Sequence, residues 1–367
     1  ARGSQLAAFY VPFIMHPNNF LLYGANGYSG ELIARYAKEY GLQPILAGRR
    51  KEVIEPLANK LGLPFRVFDV NETPALLAAL KEIKVVMNAA GPFQFTARQM
   101  IEACLQTGTH YLDINGDISI FEMIKSYDAA AKNAGIMLLP GAGFDVVPTD
   151  CLALHLKNLL PDAVSLKLAF ATLGGKLSHG TATTMVTKLG EGGAVRKNGK
   201  IIRRPLGEKG MWVDFSIVSP GATGSSGAVK KLFVMTIPWG DISTAHFTTG
   251  IPDIESYTGM SKKVYYLLKL QPLFNWLLRT SLVRNYLKKK INNRPAGPSD
   301  EQRSKAISLV WGQAANASGK TVTARLSGPE GYTLTAYSAL ITVQKVLKGS
   351  YTPGYQTPAT AYGEELV

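Results

Sequence analysis

The run Phe20-Leu21-Leu22-Tyr23-Gly24-Ala25-Asn26-Gly27-Tyr28-Ser29-Gly30 limits what this chain can fold into more than any other stretch. An apolar segment feeds three glycines at G-x-x-G-x-x-G spacing, and a helix-like pattern follows through Tyr40. Gly24 permits a tight turn, Gly27 admits a pyrophosphate close to the backbone, and Gly30 lets the helix pack on the strand. The N–H groups that open the helix then face an anion with a favourable dipole. A glycine triplet is weak by itself in a chain with 36 glycines, and an ordinary strand-to-helix turn would look the same. The next strand, Pro44–Gly48, adds the context. Where a ribose-binding carboxylate would stand, Arg49 and Arg50 follow it, and two guanidinium groups suit a 2′-phosphate. The expected cofactor is NADP(H), held by Gly24, Ala25, Asn26, Gly27, Tyr28, Ser29, Gly30, Arg49 and Arg50.

Strand-like and helix-like runs alternate through the first half. Phe20–Tyr23, Pro44–Gly48, Phe65–Phe68, Val85–Asn88, Tyr111–Ile114 and Ile136–Leu139 predict strands. Ser29–Tyr40, Ile54–Leu61, Thr73–Leu80, Thr96–Thr107 and Ile118–Ala134 predict the helices between them. Short apolar runs with helical crossovers imply a parallel sheet covered on both faces, so the fold class is α/β with an N-terminal Rossmann doubly wound sheet over 18–150. From about residue 160 the pattern changes. Val164–Ala171, Gly210–Phe215, Leu232–Ile237, His246–Ile251, Ser308–Ala314 and Thr321–Leu326 read as strands, with Asn198-Gly199 as a hairpin tip. A second α+β domain with a mixed or antiparallel sheet is expected over 151–330. Helices are expected at Thr181–Leu189, across Ser261–Ile291 with a break at Pro272, and at Tyr332–Leu347. The residues 331–367 form a terminal helix and tail.

In such a sheet, ligands lie beyond the carboxyl ends of the strands. The fourth strand ends Asn88-Ala89-Ala90-Gly91-Pro92, small residues against which a dinucleotide can lie, or a plain strand-ending turn. Asp69 either accepts from the adenine amino group or caps the following helix. Asp113 is a candidate substrate or structural carboxylate, and Asp117 reads as a helix cap. Gly141-Ala142-Gly143-Phe144-Asp145 leads into a helix opened by Pro148, a turn expected at the domain junction where hydride transfer occurs. Asp145 is a catalytic candidate there, and Asp150 is either catalytic or a hinge cap. Further on, Ser178, His179 and Thr181 precede a helix and are placed to bind or protonate a substrate carbonyl. A lone histidine also has structural uses, and both readings of His179 stay open. No Ser-x-x-x-Tyr-x-x-x-Lys arrangement is suitably placed.

The chain has 367 residues, enough for two domains, and its mean hydropathy near zero fits a soluble globular protein. Two cysteines and five scattered histidines argue against a disulfide scaffold and a metal site, and fit a cytoplasmic setting. Ala1–Pro17 sits poorly with the rest, and is expected to be an appended extension with the natural start near Met15. The net charge of +14 is concentrated: between Met260 and Arg294 stand nine Lys or Arg and no Asp or Glu. No helix-turn-helix, RNP or finger pattern accompanies this charge, so nucleic acid is not an expected partner. The basic residues interleave with Leu, Tyr, Phe and Trp, which is too interrupted for a membrane span. Either 260–294 meets an anionic membrane surface, or it covers the second domain with its lysines solvated.

These segments together resemble the saccharopine dehydrogenase-like family, which includes the trans-acting enoyl reductases. The matching pieces are Gly24–Gly30, Gly48-Arg49-Arg50, Asn88–Phe93, Tyr111–Asp117, Gly141–Asp150, Ser178–Thr181, Gly297–Arg303 and Thr357–Gly363. One departure is Asp117, where the family pattern leads us to expect Glu. The resemblance implies an NAD(P)-binding Rossmann domain, a second domain with a mixed sheet, and a C-terminal helix returning to the first. No clamp of several arginines for saccharopine itself is evident. The expected activity is NADPH-dependent hydride transfer to a C=C or C=O bond of a hydrophobic, lipid-like substrate. The alternatives are saccharopine-type imine reduction, or a non-catalytic NADP-responsive protein at a membrane surface. A second copy of the chain is a further possible partner.

Overall fold

The structure is a computed structural model that describes residues 18–217 and 228–366, the Pro272 side chain excepted. The Ala1–Pro17 extension lies outside the described residues. The chain folds into two compact units, each assembled from separated segments. The first comprises the chain up to Asn115, Met123–Ala142 and Ala336–Gln356; the second comprises Gly116–Glu122, Gly143–Thr335 and the chain from Thr357 onward.

The first unit is built on six parallel strands: β1 (Asn19–Tyr23), β2 (Gln43–Gly48), β3 (Phe65–Val67), β4 (Val85–Asn88), β5 (His110–Asp113) and β6 (Met137–Leu139). Their spatial order is β3-β2-β1-β4-β5-β6, and the short strand Gly354–Tyr355 adds a seventh beside β6, also parallel. This is the doubly wound order, with its reversal between β1 and β4. Every residue of β1 and β4 is buried, as a sheet covered on both faces requires. Helices cross between the strands at Tyr28–Tyr36, Lys51–Leu61, Thr73–Leu80 and Ala97–Thr107. The single helix expected over Ile118–Ala134 is two, Ile118–Lys125 and Asp128–Asn133, with the unit boundary passing through the first of them.

The second unit carries a mixed sheet of β7 (Ala163–Leu173), β8 (Gly193–Lys197), β9 (Lys200–Arg204), β10 (Gly210–Ile217), β11 (Ala228–Thr236), β12 (Asp253–Gly259), β13 (Ile307–Asn316) and β14 (Thr321–Pro329). The main path runs β10-β11-β12-β7-β13-β14, with β7 and β12 parallel and the other pairs antiparallel. The β8–β9 hairpin turns at Asn198 and Gly199, both at positive φ (49° and 75°), as a two-residue turn of this hand needs. Leu166, Leu168 and Val310 pack with Leu152 and Leu156 of the helix Val147–Leu159. On the opposite face, Ala169, Val213, Phe215, Val234 and Trp311 form a second core. The Arg325 guanidinium of β14 donates to the Asp214 carbonyl of β10 at 2.7 Å, so the sheet curls until its two outer strands meet.

Two expectations are corrected here. The predicted strand His246–Ile251 belongs largely to a helix, Asp241–Thr249, which ends at Gly250. Buried residues surround this helix, so it shows no amphipathic stripe, and its threonines and isoleucine imitate a strand. The helical stretch expected over Ser261–Ile291 forms three helices, Lys262–Lys269, Gln271–Leu278 and Ser281–Asn292. The break precedes Pro272, which sits in the first turn of the middle helix, where a missing N–H costs nothing.

Candidate functional site

The turn after β1 is fastened to the tip of β2. Gly24 N–H donates to the Ala47 carbonyl at 2.8 Å and Ala25 N–H to the same oxygen at 3.3 Å. Gly24 has φ +83°, and a Cβ on it would stand 2.6 Å from the Ala90 nitrogen. A Cβ on Gly30 would stand 2.3 Å from the Gly24 carbonyl oxygen. Both glycines are therefore demanded by backbone packed against backbone. Gly27 is different: its Cβ would meet a single atom, Gly24 O at 3.2 Å, and the remaining space in front of it is open. Gly27 is also the N-cap of helix Tyr28–Tyr36 and offers no side chain to satisfy the first-turn donors. An open approach to an uncapped helix N-terminus fits a pyrophosphate.

Arg49 and Arg50 are exposed at the β2 tip, and neither has a salt-bridge partner among the described residues. Burial raises the Tyr23 hydroxyl to about 12, with the Asp69 charge adding to the rise and the Arg49 charge opposing it. The ends of β1, β2 and β3 thus bring Tyr23, Arg49 and Asp69 within electrostatic reach of one another. Asp69 Oδ1 accepts from the Asn71 N–H at 2.9 Å and its Nδ2 at 2.8 Å, closing a local turn. Asn26 at the turn lies against Gly48, whose Cβ would come 3.3 Å from Asn26 Oδ1.

Beyond β4 the chain forms a shelf at Ala89–Pro92, and buried Asn88 organises it. Asn88 Oδ1 accepts from the Ala90 N–H at 3.1 Å, while Nδ2 donates to Thr96 Oγ1 at 3.2 Å and the Tyr111 hydroxyl at 3.3 Å. Thr96 in turn donates to the Ala90 carbonyl at 2.8 Å. The Tyr111 hydroxyl donates to Asp113 Oδ2 at 2.7 Å. Asp113 Oδ1 accepts from Asn115 N–H, Asn115 Nδ2 and Gly141 N–H at 3.0, 2.7 and 2.9 Å. Burial raises the Asp113 carboxyl and these donors oppose the rise. With four donors on two oxygens, Asp113 stands at the root of a network that reaches the shelf through Tyr111 and Asn88. Sequence reading missed Tyr111 and Thr96, because a hydroxyl inside an apolar strand or at a helix start carries no motif.

In the second unit, half-buried Asp145 is raised by burial to about 7. The Trp239 indole donates to the Asp145 carbonyl at 2.5 Å. Trp239, Phe170 and Phe144 form an aromatic row, with ring centroids 4.8 and 5.7 Å apart. Asp150 is fully buried, accepts from Thr248 Oγ1 at 2.7 Å and the Ala359 N–H at 2.9 Å, and is pushed up to about 6. It therefore ties the helix Val147–Leu159 to the tail helix Pro358–Tyr362. Buried Asp241, which sequence reading did not single out, accepts from Thr149 Oγ1 at 2.5 Å and is raised well above the usual carboxylate range by burial. Asp117 caps the helix Ile118–Lys125 through the Ser119 N–H; burial raises it, but the paired Lys188 ammonium brings it below its ordinary value.

His179 Nε2 lies 2.6 Å from the Arg294 carbonyl, which requires the proton on Nε2. Ser178 caps the helix His179–Thr187 through the Thr181 N–H. The Tyr332 hydroxyl accepts from the Ser178 N–H at 2.7 Å and lies 2.9 Å from Thr181 Oγ1. The structure thus gathers Ser178, Thr181 and Tyr332, a residue 151 positions on from Thr181 that sequence spacing could not supply. Among the described residues no group of three or more His, Cys, Asp or Glu is placed to hold a metal ion, and no helix is long and apolar enough to cross a membrane.

Residues 20–139 match the saccharopine dehydrogenase NADP-binding domain family. The chain is 27% identical over 206 residues to the saccharopine dehydrogenase-like oxidoreductase of Mus musculus, covering 49% of this chain and 48% of that protein. It is 28% identical over 144 residues to the trans-acting enoyl reductase of Mycobacterium ulcerans, covering 37% of this chain and 34% of that one. The matches thus span half or less of the length of these curated relatives. Saccharopine dehydrogenase (L-Glu forming) of Saccharomyces cerevisiae shares the fold, at TM-score 0.62 and 15% identity over 95% of this chain and 96% of that one. With its strand order, glycine turn and arginine pair, the N-terminal sheet matches the NADP-binding domain of the saccharopine dehydrogenases, in a chain that resembles the saccharopine dehydrogenase-like oxidoreductases.

Proposed function

We propose that the chain is an NADPH-dependent oxidoreductase that reduces a C=C or C=O bond of a hydrophobic, lipid-like substrate. The observation that carries this reading is the open face of Gly27 at a helix N-terminus, beside two exposed arginines without salt-bridge partners. NADPH, when bound, supplies the hydride. The chain's own residues bind, orient and protonate. Gly27 and the helix behind it hold the pyrophosphate, Arg49 and Arg50 hold the 2′-phosphate, and Ala89–Pro92 give the dinucleotide a flat backbone to lie on. Asp113 is a positioning residue that acts on that shelf through Tyr111 and Asn88. Asp145, poised at about 7, is the group assigned to return a proton to the reduced substrate. His179, already bonded to a carbonyl, holds the loop that carries Ser178 and Thr181. The apolar character of the substrate rests on the row of Phe144, Phe170 and Trp239. The name of the mycobacterial relative supports a C=C acceptor. Two buried free cysteines, Cys104 and Cys151, suit a cytoplasmic setting.

The test is cofactor preference. Replacing Arg49 and Arg50 together by Ala should weaken NADPH by roughly tenfold to a hundredfold while leaving NADH nearly unchanged, as read by calorimetry. Equal loss for both nucleotides would remove the arginine pair from the site. Turnover of NADPH with lysine and 2-oxoglutarate, and with no apolar enone or ketone, would favour imine reduction instead.

A further inference from the structure

After β12 the second unit runs through the three short helices Lys262–Lys269, Gln271–Leu278 and Ser281–Asn292. They leave an unusual amount of apolar surface uncovered. Leu267 is 67% exposed, Leu273 68%, Trp276 72% and Leu282 82%, with Tyr266 and Phe274 also open to solvent. Ordinary soluble surfaces scatter such residues singly, and a contiguous group of them marks a surface meant to be covered.

The charges around that surface divide into two kinds. Arg279 donates twice to the Gly190 carbonyl, at 3.0 and 2.8 Å, and Arg284 donates to the Leu189 carbonyl at 2.9 Å. These two arginines fasten the last two helices to the turn that follows helix His179–Thr187. Lys263, Lys288, Lys289 and Lys290 have no salt-bridge partner among the described residues, and from Met260 to Arg294 no acidic residue is present to neutralise them. Lys263, Lys289 and Lys290 are exposed, and Lys288 is half-buried.

We propose that these three helices are the face by which the protein docks on an anionic phospholipid bilayer. At ~1.5 Å per residue they are about 12, 12 and 18 Å long, too short for a hydrocarbon core of ~30 Å, so they lie in the interface plane. Leucine, tryptophan and tyrosine side chains enter the headgroup boundary, and the lysines meet lipid phosphates and serines around them. A second copy of the chain is a poor occupant, because a two-fold contact would set these lysines against their own copies with no acidic residue between Met260 and Arg294 to answer them. An acidic protein would answer the charge but would also need a groove for each protruding ring and leucine. A fluid anionic bilayer answers both at once. This docking goes beyond the reductase reading and does not depend on it.

The experiment uses the full chain with vesicles of phosphatidylcholine alone and with phosphatidylserine added. Flotation should occur with the anionic vesicles only and fade at high salt. Lys288→Glu, Lys289→Glu and Lys290→Glu combined should lower partitioning about a hundredfold or more, at the usual contribution of a basic residue near a charged membrane. Trp276→Ala should lower it roughly tenfold. An unchanged melting curve in both variants shows that the second unit, which carries the helices, is folded. Brominated lipid should quench part of the tryptophan emission in the wild type, and that part should vanish in Trp276→Phe. Absent flotation, equal flotation on neutral vesicles, or flotation that neither variant alters would overturn the proposal. So would self-association, in place of lipid binding, that Leu282→Asp abolishes.

Discussion

Between Gly24 and Gly30 the chain is shaped by atoms it lacks, whereas between Lys262 and Asn292 it carries more apolar surface than its own fold covers. In the turn, two missing Cβ atoms let backbone meet backbone, and a third leaves room for a ligand. In the helices, large apolar side chains stand open to solvent beside lysines that have no salt-bridge partner among the described residues. The contrast teaches where tolerance lies. A site made of absences fails at the first added methyl, while a surface made of many similar side chains loses strength by degrees.

The sharpest break of that comparison is Gly30→Ala. Its Cβ would press on the Gly24 oxygen and, at 2.9 Å, on Ala25 Cα, neither of which can swing away. Loss of ~3 kcal/mol or more, and no measurable NADPH binding, is expected from melting curves and calorimetry. Gly27→Ala sharpens the point. Its Cβ asks the Gly24 oxygen to give by only a few tenths of an ångström, so it should lose far less stability than Gly30→Ala, yet bind NADPH about tenfold more weakly. Wild-type affinity in Gly27→Ala would show that the pyrophosphate does not approach there.

An intermediate effect is expected from the acids of the second unit. Asp145 at about 7, Asp150 at about 6 and Asp241 higher than usual all lie above the ordinary carboxylate value of 3.8. The folded chain holds these protons more tightly than the unfolded one, so their contribution to stability falls as pH rises from 4 to about 7. The depressed acids Asp117, Asp128 and Asp253 act in the opposite sense, but only below pH 4. His110, lowered by burial to about 4, gains stability up to about pH 6.5 and offsets part of this fall, so the melting temperature should drop by only a few °C between pH 5 and pH 8, and Asp241→Asn should flatten the slope. An Asp241→Asn profile parallel to that of the wild type would contradict the raised carboxyl there. The smallest effect belongs to the exposed helices, where Leu282→Ser should move stability by no more than about 0.5 kcal/mol. A large loss there would mean that the leucine is packed after all.

Much of the first unit was legible in the sequence. Its buried strands are short apolar runs, and glycines in left-handed geometry close three of its helical stretches, at Gly41, Gly62 and Gly108. The arginine pair and the Asn88–Pro92 shelf followed from strand order alone. The second unit was less readable for physical reasons. Helix Asp241–Thr249 is buried on most sides and so has no stripe to betray it. Strand β12 reads Asp-Ile-Glu-Ser-Tyr-Thr-Gly, with two acids and a glycine masking its inward Ile254 and Tyr257. The Asp113–Tyr111–Asn88 network and the Ser178–Tyr332 contact join residues through space, and no local pattern announces such partners.

The way the segments are shared between units has a consequence for synthesis. The strand Gly354–Tyr355 closes the edge of the N-terminal sheet, and Asp150 waits for the Ala359 N–H from the tail. Emerging from the ribosome, the first unit lacks its edge strand until Tyr355 is out, and Asp150 lacks its partner until Ala359 follows, although β1 begins more than 300 residues earlier. The open edge of β6 and the half-paired Asp150 must stay soluble through that delay, which makes the nascent chain, more than the finished protein, the state most exposed to chaperones and proteases.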